Sequence, residues 1–137
     1  MKPQQQLQML LDEFASREGV VLKLENGVCA LQEESGQEAL VLELPDGSDV
    51  LLLHCQLFAM QDHGEKLAAW RLLMTLNFEM NAMRGCWLAL DEEDNIRLCS
   101  QQPLAALNAT SFSPLLLAFM QQAREARELI TEVFAGL

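Results

Sequence analysis

The sequence has no tyrosine, two histidines, seven glycines, four cysteines and only nine basic residues against twenty acidic ones. Each scarcity excludes something. With so little histidine there is little material for general acid–base work at neutral pH. The glycines are scattered and form no phosphate-cradling loop. Cys29, Cys55, Cys86 and Cys99 stand far apart, so neither a paired metal motif nor a disulfide framework is legible. Such spacing reads as reduced, half-buried thiols in apolar segments. A net charge of −11 opposes binding to nucleic acid or to an anionic membrane. No apolar run reaches the length of a membrane span. The opening residues, Met1 to Gln6, contain no apolar core of a secretory signal, so no ordinary leader is expected.

What is present is a large apolar content, 50% of 137 residues, wrapped in acid. That length predicts a single domain, 1–137, able to bury a core without staples. Between Lys23 and Lys66 there is no Lys or Arg, while Glu25, Glu33, Glu34, Glu38, Glu43 and Asp46 all fall there. This combination reads as a chain that holds something apolar in solution and does not transform it. The expectation is no enzyme, no cofactor and no metal.

Leu7, Leu10, Leu11 and Phe14 repeat at helical spacing, with Pro3 at the start and Gly19 as a stop, and predict a helix over Pro3–Glu18. Val20 to Glu25 alternates as a strand would. Asn26-Gly27 is a strong hairpin turn signal, and Val28–Gln32 reads as the return strand. Leu40, Leu42 and Leu44 share one face of a further strand, and Pro45-Asp46-Gly47 closes it with a turn. Val50–Leu53 is apolar on both sides and predicts a strand covered on both faces. Gly64–Met83 reads as a second helix, apolar almost all round apart from Arg71, Thr75 and Glu79. One side of it can meet a sheet; the other is expected to meet a second copy of the chain. Cys86–Leu90 and Ile96–Ser100 form a second hairpin around Asp91–Asn95. Pro103–Ala109 is a short turn or loop. Ser113-Pro114 then predicts the start of a last helix that runs nearly to the end. The order argues for an α+β fold: a twisted antiparallel sheet of about five strands with three main helices.

His54, Cys55, Asp62 and His63 were the natural place to seek a metal, but adjacent residues in a strand point to opposite faces. Asp91–Asn95 has Ile96 where a calcium loop needs glycine, and reads as a hairpin turn. No local pattern sets a cysteine beside a histidine as a nucleophile pair. Trp70 and Trp87 sit in apolar context and read as core or interface anchors.

Several segments together resemble the class I type III secretion chaperones, of the Tir-chaperone (CesT) and SycE type. They are Leu10-Leu11-Asp12-Glu13-Phe14-Ala15 with Gly19 and Leu22-Lys23-Leu24, and Gly27-Val28-Cys29-Ala30-Leu31. Leu73-Met74-Thr75-Leu76-Asn77 and Gly85-Cys86-Trp87-Leu88-Ala89-Leu90-Asp91 follow, and then the last helix with Phe119 and Arg124 to Leu129. The exposed-looking Trp87 is a departure from the pattern. The resemblance implies a cytoplasmic bacterial homodimer that binds an extended N-terminal segment of a secreted effector. It implies delivery of that client to the secretion ATPase, and no nucleic-acid or membrane partner. On that footing Leu67, Trp70, Met74, Phe78 and Trp87 are expected at the dimer interface. Leu7, Leu11, Phe14, Leu22 and Leu40 are expected to form effector-contacting surface. An adaptor or anti-activator module in a regulatory circuit needs the same kinds of surface, and the sequence separates the two readings poorly.

Overall fold

A computed structural model describes residues 1–137, apart from the side chain of Asp62. Four helices and five strands follow one another. They are α1 (Pro3–Glu18), β1 (Val28–Gln32), β2 (Glu38–Glu43), β3 (Val50–Ala59), α2 (Leu67–Phe78), α3 (Met80–Met83), β4 (Trp87–Leu90), β5 (Asn95–Pro103) and α4 (Ala109–Phe134). Short 3-10 turns lie at Met60–Asp62 and Leu104–Ala106. The strands form one antiparallel sheet in the order β1-β2-β3-β5-β4, which leaves β1 and β4 at its ends. The α+β class, the five strands and the three long helices are those the sequence predicts.

The chain forms two compact units. One holds Met1–Leu53 and Gln101–Met120, the other His54–Ser100 and Gln121–Leu137. In the first, α1 starts with Pro3, whose missing N–H costs nothing at that position. It stops at Gly19, which takes the left-handed conformation at φ 71°. Its apolar stripe of Leu7, Leu10, Leu11 and Phe14 is buried with Leu40, Leu42, Leu51 and Leu53. Phe14 meets Phe112 edge to face at 6.4 Å between ring centroids.

Asn26 and Gly27 both take positive φ, 54° and 77°. Glu25 and Val28 exchange two backbone hydrogen bonds of 2.9 and 3.1 Å around them. This is the type I′ turn the dipeptide predicts. A side-chain carbon on Gly27 would lie 2.5 Å from the Leu44 carbonyl oxygen, so only glycine fits. The strand expected at Val20–Leu24, however, is not one. Only Glu25 bridges to Val28. The Gln8 side chain takes up the backbone of that segment: Leu24 N–H donates to its Oε1 and its Nε2 donates to Leu22 O, both at 2.9 Å.

Three further boundaries differ from the sequence reading. β3 extends to Ala59, through Cys55, with Leu51, Leu53, Cys55 and Leu57 buried. Its other side is only half-buried, not covered as expected. The helix expected over Gly64–Met83 is two helices, because Glu79 leaves helical conformation at ψ 86°. The last helix starts before Ser113-Pro114. Asn108 caps it, accepting from the N–H groups of Thr110 (2.9 Å) and Ser111 (3.0 Å). Pro114 therefore lies inside α4.

In the second unit the core comprises Leu57, Leu73, Leu88, Leu98, Ile130 and their neighbours. Arg127 from α4 donates to the carbonyls of Gln56 (2.7 Å) and Leu57 (3.0 Å), tying the helix to the end of β3. β4 and β5 pair in register from Trp87↔Cys99 to Leu90↔Ile96. The turn between them is built on Asp91, whose Oδ1 accepts from Glu93 N–H and Asn95 N–H at 2.9 Å each.

Candidate partner-binding surfaces

The second unit carries an apolar face with nothing on it. α2 buries Ala69 and Leu73 against its own chain. Leu67, Trp70, Met74 and Phe78 recur on the opposite side of the helix at spacings of three and four. Leu67 is 70% exposed, Met74 69% and Phe78 85%. Trp70 is half-buried and its indole N–H donates to Gly64 O at 2.9 Å. Met80, on α3, is 83% exposed. β4 is set beside α2 by Asn77, whose amide bonds both backbone groups of Leu88. It adds Trp87 at 38% exposure, whereas Leu90, three residues on, points to the opposite face of the strand. Hiding each such side chain from water is worth about 1.5–3 kcal/mol. Five large apolar groups displayed on one short helix, its successor and the adjoining strand exceed the scattered singles normal on a monomer.

The residues expected to contact an effector fare differently. Leu7, Leu11, Phe14 and Leu40 are core residues of the first unit, with no surface to offer in this structure. Their helical and strand spacing is that of a buried stripe. Leu22 alone remains half-buried. It belongs to the segment Val20–Glu25, which carries Val20 and the 81% exposed Val21. A groove of about 360 Å³ lies here, lined by Val21, Leu22, Lys23, Glu25 and the first residues of β1. Of its lining, Leu22 is an expected effector contact; the rest is not legible in the sequence, because the end position of β1 is set by the sheet order and not by local sequence.

The titratable groups serve the fold. Burial pushes the Cys29, Cys86 and Cys99 thiols up, which keeps them protonated at neutral pH. All four cysteines are free. His54 Nδ1 accepts from Arg97 Nε at 3.0 Å. Arg97 also reaches Asp91 at 3.5 Å. His63 packs against the rings of Phe58 and Phe134, at 6.4 and 4.8 Å. Among the described residues no group of three His, Cys, Asp or Glu could hold a metal. The side chain of Asp62, weighed as a ligand, lies outside them. Among the described residues no helix is long and apolar enough to cross a membrane.

The chain thus joins an acidic composition to an α+β fold that displays apolar side chains. The chain belongs to the Tir chaperone protein (CesT) family, whose pattern matches residues 9–127. Solved structures share its fold, among them three from complexes. A chain of the ExsC–ExsE complex is 24% identical with a TM-score of 0.80, covering 95% of this chain and 97% of that one. A chain of the HopA1–SchA chaperone–effector complex is 21% identical at 0.66, covering 88% and 94%. A chain of the ExoU–SpcU complex from the type III secretion system of Pseudomonas aeruginosa is 20% identical at 0.63, covering 88% and 93%. At these identities the likeness is one of fold. No curated protein sequence matches the chain.

Proposed function

We propose that this chain is a type III secretion chaperone that binds an extended segment of one secreted effector and keeps it soluble and fit for export. The observation that carries this reading is the family match over residues 9–127. The fold likeness to chains from chaperone–effector complexes supports it. The reading assigns the protein to the bacterial cytosol, with the secretion ATPase as the destination of the complex and no catalytic step of its own.

The working form in this proposal is a homodimer joined through Leu67, Trp70, Met74, Phe78 and Trp87. An exposed apolar stripe on a helix already packed on its other side suits a self-complementary contact. The effector segment is assigned to the first unit, at the groove beside Leu22 and the outer edge of β1. An extended peptide there could gain main-chain hydrogen bonds and bury Val21 and Leu22. A disordered client loses ordering entropy on binding, so a large apolar contact is needed to offset it.

A second reading, an adaptor or anti-activator module in a regulatory circuit, is favoured by the TM-score of 0.80 to a chain of the ExsC–ExsE complex. One experiment separates them. The tagged protein is purified from its own bacterium, and the native complex is weighed and its components identified. Two copies carrying one secreted protein, held through its N-terminal region, is the result expected. A transcription regulator as the bound component establishes the second reading, and a lone monomer overturns both.

A further inference from the structure

Asn26-Gly27 is built to launch a two-stranded hairpin, yet the hairpin stops after one rung. In an extended chain, successive residues turn their N–H and C=O to opposite edges. Gly27 O accepts from Leu44 N–H at 2.8 Å, so Gly27, Cys29 and Leu31 face β2, while Val28 and Ala30 face outward. Val28 meets Glu25. The next rung would join Ala30 to Lys23, and no hydrogen bond joins them. The 360 Å³ groove lies between these two segments.

The other edge of the same segment is taken. Gln8 on α1 accepts from Leu24 N–H and donates to Leu22 O, acting as a one-residue substitute for a neighbouring strand. Its second amide hydrogen goes to Asp12 Oδ1 at 2.8 Å. A carboxylate only accepts, so Asp12 fixes which end of the Gln8 amide is nitrogen. The segment meanwhile keeps a strand's alternation: Leu22 and Leu24 are half-buried, Val21, Lys23 and Glu25 exposed. Zipped onto β1, Leu22 and Leu24 would fall opposite Leu31 and Cys29 and share their face. Its sequence thus suits a strand, its turn favours one, and one side chain on α1 ties it elsewhere.

We propose that Val20–Glu25 is a strap with two seats, and that Gln8 is the latch that holds it on α1 and leaves the outer edge of β1 open. Released from Gln8, the strap zips onto β1 as a sixth strand, closing the groove and occupying the edge. Its consequence for client capture rests on the chaperone reading above: the strap competes for the surface an incoming segment would use. The strap itself is tested without any client.

Amide hydrogen exchange is followed residue by residue in the native chain and in Gln8→Ala. Exchange at Lys23 and Ala30 is expected to slow about tenfold or more in the variant, with Leu40 and Leu42 unchanged as the check on folding. Unchanged or faster exchange at Lys23 and Ala30 overturns the proposal. If Gln8→Ala loosens the core, a second measurement decides. Leu24 and Cys29 form the non-hydrogen-bonded pair of the zipped hairpin, within disulfide reach. With oxidised glutathione, the bond between Cys29 and the thiol introduced by Leu24→Cys is expected to form about tenfold faster when Gln8→Glu is also present. Equal rates with and without Gln8→Glu overturn the latch.

Discussion

The side-chain amide of Asn77 makes both hydrogen bonds that a neighbouring strand would make to Leu88. Nδ2 donates to Leu88 O at 3.0 Å, and Leu88 N–H donates to Oδ1 at 2.6 Å. One residue near the end of α2 thereby stands beside β4, the last strand of the sheet, and covers part of its edge. Asn77→Ala leaves both backbone groups without that partner. The expected cost is about 1–3 kcal/mol, read as a fall in the urea midpoint at unchanged slope. Asn77→Asp keeps the acceptor and loses the donor, and is expected to destabilise as well.

Phe78 is among the most exposed apolar groups in the chain, so replacing it takes little from the monomer's core. Phe78→Asp is expected to yield monomers whose thermal midpoint no longer rises with protein concentration. Trp70→Asp, at a half-buried site, is expected to give monomer or insoluble protein. Native mass checks both. Soluble dimers of unchanged stability would remove α2 from the proposed interface.

Leu11 separates a core from a groove. As a fully buried residue of α1 it should cost about 2–5 kcal/mol on truncation to Ala, by lost transfer energy and residual cavity. A groove residue would lose client affinity with little change in stability. Chemical denaturation of Leu11→Ala without any partner distinguishes these outcomes.

Asp91 gives the fold a dependence on acid. Burial pushes its carboxyl up, but the N–H groups of Asn95 and Glu93 and the Arg97 guanidinium outweigh that and hold it below its ordinary value. A carboxylate with a depressed folded pKa stabilises fully above its unfolded pKa, about 3.9, and loses that contribution as pH falls through the folded value. Asp91→Ala is therefore expected to be less stable than the native chain at neutral pH. The gap should narrow as pH drops below about 4. Denaturant midpoints at several pH values check this, and a gap constant across that range contradicts it.

The sequence was a good guide wherever a signal was satisfied by neighbours in the chain. Pro3, Gly19 and the leucine spacing between them mark out α1. The reading failed where a distant group intervened. Val20–Leu24 alternates like a strand, but Gln8 tethers the segment by its Leu22 and Leu24 backbone groups, on the edge away from β1, and alternation cannot show such a tether. Ser113-Pro114 is a sound helix start that Asn108 pre-empts by capping one turn and more earlier. The apolar stripe of α2 and that of α1 look alike in sequence. Periodicity says that a face must be covered, not whether its own chain covers it. For that reason Leu67, Met74 and Phe78 emerge exposed, while Leu7, Leu11 and Phe14 emerge buried.

Trp70 and Trp87 are the only tryptophans, and the chain has no tyrosine. Both indoles therefore carry essentially all of the near-ultraviolet emission, and both belong to the helix and strand that display the uncovered apolar face. Trp70 is held by its bond to Gly64, while Trp87 is more open to water. The protein thus has a native optical probe on that face. Whatever covers it will shift the emission maximum toward the blue, so association there can be titrated on the unlabelled, unmodified chain.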